Sequence, residues 1–376
     1  MPETVTGQGT AKTSTTFGKF FLPGPTEVRA EVLDAMRGPM IGHRGSSMEE
    51  LVARLQAGLK VVFRTERPVY ISSSSATGLM EAALRNGARR KVLSLVNGAF
   101  SERFFHIARA CGLDAVSLEV PLGAGHTCEM LEGALGTGDY DAVTIVHSET
   151  STGVLNPIAE LREVTHAAGD ILFLVDSVSG IAGTAVETDA WKIDFLLTGS
   201  QKALALPPGL AFGVAQEAIL RRAERIPARG VYFDLLEFEK NIRKNQTPNT
   251  PALSLFYALD AQLQHILSET VEKRWERHLA MARRTWEWVD WMRDAGYELK
   301  MLAPEGFRSP TVSCIRLPDG APTGTEVTRR MKARGFTIAA GYGTLKDATF
   351  RIGHMGDHSV DELNVLLGEL EGVLSQ

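Results

Sequence analysis

Asp176 and Lys202 are the two residues on which a chemical reading of this chain can be built. Asp176 closes an apolar run, Ile171 to Val175. Lys202 lies twenty-six positions further on, behind a second run, Phe195-Leu196-Leu197, and the connecting residues Thr198-Gly199-Ser200-Gln201. If both runs are strands of an open α/β sheet, the acid and the amine stand at carboxyl ends, where such sheets collect ligands. A lysine amine can hold an aldehyde as a Schiff base, and a carboxylate can keep a pyridine nitrogen protonated so that the ring accepts electrons. The pair therefore suits pyridoxal 5'-phosphate. Taken singly, an Asp would cap a turn and a Lys would lie on the surface, so the surrounding sequence has to decide.

The elements that would position the pair are legible as short β-branched runs alternating with helix-length segments between about residues 69 and 216, the pattern of a mostly parallel sheet covered by helices. The expected strands are Val69 to Ser73, Val92 to Val96, Val116 to Val120, Ala142 to His147, Ile171 to Val175, Phe195 to Thr198 and Leu210 to Val214. Ahead of them, Ser47-Met48-Glu49-Glu50 has the form of a capping box opening an amphipathic helix through about Phe63. Leu22-Pro23-Gly24-Pro25-Thr26 is too rich in ring-constrained and flexible residues for helix or strand, and reads as a turn-rich crossing.

A helical stretch from about Leu267 to Asp294 leads to a C-terminal part. That part has candidate strands near Thr311 to Arg316 and Ala348 to Ile352, and helices near Gly324 to Arg334 and Val360 to Leu374. The expected class is α/β: a loose tail over residues 1–16, a large domain with a seven-stranded, mostly parallel sheet over 17–266, and a bridging helix with a small α+β domain over 267–376.

Composition narrows the function. A chain of 376 residues, 44% apolar and 23% charged, is long enough for two domains with a sizeable core. A net charge of −5 with scattered Lys and Arg leaves no basic field for nucleic acid. No apolar run approaches the roughly 20 residues of a membrane span. Cys111, Cys128 and Cys314 are far apart and in no metal-ligand spacing, which points to a reducing compartment, by default the cytosol.

Six segments in order give the context. They are Leu22-Pro23-Gly24-Pro25-Thr26; Gly42-His43-Arg44; Ser72-Ser73-Ser74-Ser75-Ala76-Thr77-Gly78; Ser148-Glu149-Thr150-Ser151-Thr152-Gly153; Thr247-Pro248-Asn249-Thr250-Pro251; and Phe350-Arg351-Ile352-Gly353-His354. With Asp176-Ser177-Val178-Ser179-Gly180 and Gly199-Ser200-Gln201-Lys202-Ala203-Leu204, the chain resembles the class V aminotransferases over nearly its whole length. These are fold-type I pyridoxal phosphate enzymes that include alanine–glyoxylate and serine–glyoxylate or serine–pyruvate transaminases.

The resemblance implies roles. Lys202 would hold the cofactor and Asp176 its ring nitrogen. Ser75, Ala76 and Thr77, between a strand and a helix, would receive the phosphate on backbone N–H groups and hydroxyls. Phe100 would stack on the pyridine face, where alanine–glyoxylate enzymes often carry Trp. Val178 would pack under the ring, Ser151 donate toward the 3'-oxygen and Gln201 approach the phosphate. Thr247 and Thr250 match a stretch that supplies phosphate ligands to a partner subunit, which implies a homodimer with shared sites. Arg351 would grip the substrate carboxylate with two parallel hydrogen bonds. Tyr342, in the preceding loop, could line the pocket.

Gly42-His43-Arg44 leaves two readings open. In phosphoserine aminotransferases a His-Arg pair here holds the substrate phosphate, and serine–glyoxylate enzymes can also carry it. The serine-rich cup and the Ala203-Leu204-Ala205-Leu206-Pro207-Pro208-Gly209 flank favour the alanine/serine–glyoxylate group. The expected reaction is ping-pong transfer of an amino group from alanine or serine to glyoxylate or pyruvate. A cysteine desulfurase would need a nucleophilic cysteine near Arg351, whereas Cys314 lies in an apolar run. A non-catalytic protein of this fold would be expected to lack Lys202 or Asp176.

Overall fold

The computed structural model describes residues 17–375, so the tail expected over residues 1–16 lies outside the described residues. The large sheet has seven strands: β1 (Val69–Ser72), β2 (Lys91–Val96), β3 (Asp114–Glu119), β4 (Ala142–Val146), β5 (Leu172–Asp176), β6 (Phe195–Gly199) and β7 (Ala211–Ala215). Their spatial order is β1-β7-β6-β5-β4-β2-β3. Every pairing is parallel except those of β7, which runs against both β1 and β6. In β5 and β6 all residues are buried, because helices cover both faces and leave no side for polar alternation.

The helices that matter to the site follow strands. After α1 (Ser46–Phe63) come α2 (Ala76–Gly87) behind β1 and α3 (Ala99–Ala110) behind β2. The capping box expected at Ser47 does not form: α1 is capped by Gly45 without a side-chain bond, and Glu49 instead accepts from Gln246 Nε2 at 2.7 Å. The single long helix expected from Leu267 is two helices, α4 (Leu253–Glu269) and α5 (Val271–Met292). Between them Thr270 adopts φ +70°, outside the helical region, and its hydroxyl caps α5 by accepting from Lys273 N.

The small domain is a four-stranded antiparallel sheet ordered β8 (Lys300–Met301), β9 (Val312–Arg316), β11 (Thr349–Gly353), β10 (Ala339–Ala340), with α6 (Gly324–Ala333) and α7 (Val360–Leu374). It has its own apolar core, which takes in Phe21 from the N-terminal crossing and Trp288 from α5. The two cores are joined by buried charge. Arg274, 1% exposed, donates to Asp357 at 2.8 Å, to Glu269 at 2.9 Å and to the carbonyl of Ala203 at 2.7 Å. Among the described residues no helix is long and apolar enough to cross a membrane.

Candidate active site

Asp176 ends β5, and Lys202 lies three residues beyond the end of its parallel neighbour β6. Both line one cavity of about 250 Å3 at the carboxyl edge of the sheet. Asp176 is 2% exposed and accepts a 2.7 Å hydrogen bond from Val178 N. Burial pushes its carboxyl up to about 7, and the charge of Glu149 adds to this against the opposing pulls of the Val178 N–H, Lys202 and Arg103. Lys202 is 7% exposed. Its amine is brought down to about 8, first by burial and next by the Arg351 cation. It donates to the Pro23 carbonyl and lies 5.7 Å from the Phe100 ring centre. A titratable acid and base of opposite shift, facing one cavity, mark a reactive site.

The N-terminal crossing is built around that lysine. Gly24 has φ +103°, and a Cβ there would stand 2.4 Å from Lys202 Cδ and Nζ. Thr26 N donates to Gln201 O at 2.9 Å, tying the crossing to the lysine turn. The other side of that turn is held by Arg274 through Ala203.

Ser75, Ala76 and Thr77 line the same cavity at the start of α2. Ser75 is the N-cap but makes no side-chain cap, so the amides of Ala76 and Thr77 and the hydroxyl are available to an anion, while Gly78 N donates to Ser75 O at 3.0 Å. Phe100, Val178 and Gln201 also line the cavity. Gly199 lets Gln201 fold back, since a Cβ there would meet Gln201 Oε1 at 2.8 Å.

Arg351 comes from the small domain, on β11 opposite Cys314 of β9. It donates from Nε to Ala340 O and from Nη1 to Thr150 O, both at 3.0 Å, which aligns the guanidinium beside the cavity wall. Tyr342 joins it to the cofactor side: its ring centre is 5.6 Å from the Arg351 Cζ and 5.6 Å from the Phe100 centre.

Other expected residues are placed elsewhere. Ser151 lines a neighbouring hollow, and its hydroxyl donates to Glu149 Oε1 at 2.6 Å while accepting from Ala99 N at 3.0 Å. Its one proton is thus committed away from the cavity. Thr150, one residue earlier, lines the cavity instead, with Oγ1 2.6 Å from Ser179 Oγ. Gly42, His43 and Arg44 lie outside the cavity within one chain, as do Thr247 and Thr250. Arg44 donates to the carbonyls of Thr247 and Pro248, so these two segments form one surface. The residues that sequence reasoning missed are Thr150, Arg103 and Glu149. Arg103 was signalled by its place one helical turn after Phe100, and its guanidinium is 5.0 Å from that ring's centre.

The aminotransferase class-V family matches residues 73–297, which include the cup, the acid and the lysine. The chain belongs to the class-V aminotransferases. It is 38% identical to an uncharacterised aminotransferase of Methanocaldococcus jannaschii, over 94% of this chain and 92% of that one. It is 34% identical to the serine–glyoxylate aminotransferase of Methylorubrum extorquens, over 94% and 89%. The crystal structure of an alanine–glyoxylate aminotransferase from Nostoc superposes with a TM-score of 0.87 at 29% identity, covering 94% of each chain.

A class-V aminotransferase works with pyridoxal phosphate, and the donor set here fits that cofactor. The aminotransferase has an anion-ready helix start at Ser75–Thr77, a buried acid, a buried amine with a lowered pKa, and an aromatic ring and Val178 on the cavity wall. The unpaired buried carboxyl of Asp176 is the most telling of these. Burial holds its pKa high despite the pulls of Lys202 and Arg103, and a protonated pyridine nitrogen would add a facing cation.

Proposed function

We propose that this aminotransferase moves the amino group of alanine or serine to glyoxylate or pyruvate in two half-reactions on one enzyme form after another. The observation that carries the reading is the shared cavity of Asp176 and Lys202, walled by Phe100 and by Thr150, whose carbonyl holds Arg351 of the small domain behind the wall.

Bound pyridoxal phosphate supplies the sink for the electron pair left at the substrate α-carbon. Ser75, Ala76 and Thr77 hold its phosphate, with Gln201 beside them. Asp176 keeps the ring nitrogen protonated, and Phe100 and Val178 fix the ring plane. Lys202 would be the residue that holds the cofactor, and its amine, when free, would be the base placed to take the proton from the substrate α-carbon. Its lowered pKa leaves a useful fraction unprotonated near neutral pH. Arg351 binds the substrate carboxylate and thereby orients the α-hydrogen toward Lys202. The 3'-oxygen assignment expected for Ser151 is better supported for Thr150, which lines the cavity beside Ser179.

In this reading the enzyme is a homodimer in which Thr247 and Thr250, which lie outside the cavity of their own chain, complete the partner's phosphate site, with Arg44 bonded to the same segment. The likeness to serine–glyoxylate and alanine–glyoxylate aminotransferases supports the alanine/serine–glyoxylate reading over phosphoserine. Cys314 is fully buried, its thiol pushed up to about 11 by burial, which disfavours a desulfurase. The cytosol is the compartment this reading assumes.

The test is the absorbance of the purified protein at roughly 400–430 nm, where the lysine-bound cofactor absorbs, before and after L-alanine, L-serine and L-phosphoserine. Bleaching by alanine or serine, with parallel double-reciprocal lines against glyoxylate, supports the proposal. Bleaching by phosphoserine alone overturns it.

A further inference from the structure

Glu149 has no solvent exposure, and neither of its oxygens touches the cavity. One oxygen, Oε2, accepts from Ser101 N at 2.9 Å, Ser101 Oγ at 3.0 Å and Phe100 N at 3.2 Å. The other, Oε1, accepts from Ser151 Oγ at 2.6 Å and Ser151 N at 3.1 Å. One carboxylate therefore spans two elements: the first turn of α3, which carries Phe100, and the loop after β4, which carries Thr150. Gly98 is shaped to it, since a Cβ there would lie 2.5 Å from Glu149 Cγ.

A helix start can be satisfied far more simply. A Ser or Asp at the N-cap would serve the same amides from the helix itself, without carrying a carboxylate out of water. Here the acceptor comes from 49 residues away and is wholly desolvated. Its charge also reaches the reacting groups. It favours the cationic form of Lys202 and opposes ionisation of Asp176.

We infer that Glu149 is a positioning residue for the transfer, fixing the Phe100 turn against the Thr150 loop and placing its carboxylate behind the Asp176–Lys202 pair. This rests on the reading that Phe100 faces the cofactor. The clamp keeps the ring plane from rocking while bonds at the substrate carbon change. The charge sets the pH at which the lysine end of the site gives up its proton.

The test uses the holoenzyme and Glu149→Gln, which keeps the shape but removes the charge and turns an NH2 group toward N–H donors. The pH midpoint of the bound cofactor's visible band is expected to fall by about half a unit or more, and its induced circular dichroism to weaken by about half as the ring loosens. Ser101→Ala, which keeps the charge, should lower the melting temperature without moving the midpoint. If Glu149→Gln behaves like Ser101→Ala, Glu149 is only a helix cap and the inference falls. Should Glu149→Gln not fold, Glu149→Asp retains the charge on a shorter reach: weaker dichroism at an unchanged midpoint supports the clamp, and unchanged dichroism overturns it. Hydrogen exchange at Phe100 and Ser101 in the cofactor-free protein reads the clamp without any cofactor. About tenfold faster exchange in the variant supports it and equal exchange refutes it, whereas a wild-type protein with no visible band would count against the proposed function instead.

Discussion

Arg44 Nη1 donates to the carbonyl oxygen of Thr247 at 2.6 Å, across 203 residues of sequence, and Nη2 donates to Pro248 at 3.1 Å. Two segments that stand outside the cavity of their own chain are thereby given one fixed relation. If this surface completes the partner's phosphate site, Arg44→Ala should weaken cofactor binding by about tenfold, the scale of one or two charge-assisted hydrogen bonds. Sedimentation should show more monomer, and the melting temperature should fall by about a few degrees as the two bonds and the dimer weaken. Cofactor titration checks it, and unchanged affinity and mass would remove Arg44 from the shared site.

Gly24 leaves no room for a side chain beside Lys202, and its φ of +103° is one that other residues resist. Gly24→Ala should therefore displace the lysine rather than unfold the chain. Far-UV dichroism should be unchanged, the visible cofactor band should be lost or shifted, and stability should fall by about 1–2 kcal/mol. A normal band in this variant would show that the crossing does not press on Lys202.

Much of this arrangement could be read from the residues alone, for physical reasons. Strands covered on both faces must be apolar throughout, so β4, β5 and β6 stand out as runs, and the residues ending them are automatically at the ligand-collecting edge. Asp176 and Lys202 were found that way. Turns hide what strands reveal. In Ser148–Gly153 successive side chains leave in different directions, so sequence could not tell that Thr150 faces the cavity while Ser151 faces Glu149. Contacts made by carbonyl oxygens carry no residue signature, which is why the Arg44 bonds to Thr247 and Pro248 were invisible. The break at Thr270 was hidden because Thr is tolerated inside helices and equally suited to capping one.

Asp176 gives the pH prediction. Its carboxyl is raised from 3.8 to about 7 in the folded, cofactor-free protein, so its contribution to stability is fully present below pH 3.8 and is lost as pH rises through about 7. Asp176→Asn removes the titration while keeping an acceptor for Val178 N. The cofactor-free variant should be more stable than the wild type above pH 7, by at most about 4 kcal/mol, yet slower in transfer by about a hundredfold or more because the ring nitrogen has lost its anion. Melting curves at pH 5 and pH 8 check the first part. A wild type whose stability does not decline between them, relative to the variant, would contradict the raised carboxyl.

Arg351 is the last case, and its surroundings separate binding from structure. Two of its N–H groups hold Ala340 and Thr150, so the rest of the guanidinium is presented at a fixed angle beside the cavity. Arg351→Lys keeps a positive charge but not the fork, and it leaves both carbonyls without their present donors. Since each hydrogen bond to a charged group is worth about 1.5–3 kcal/mol, kcat/KM for alanine or serine should fall by about a hundredfold in either Arg351→Lys or Arg351→Gln, chiefly through a higher KM. Cofactor affinity should hold within about twofold, because Asp176 and the Ser75–Thr77 cup are untouched, while the band's pH midpoint should hold in Arg351→Lys and rise in Arg351→Gln, which removes a cation that lowers Lys202. Steady-state kinetics beside a cofactor titration decides the matter: a parallel collapse of cofactor affinity would make Arg351 a structural support of the Thr150 loop rather than the substrate's carboxylate site.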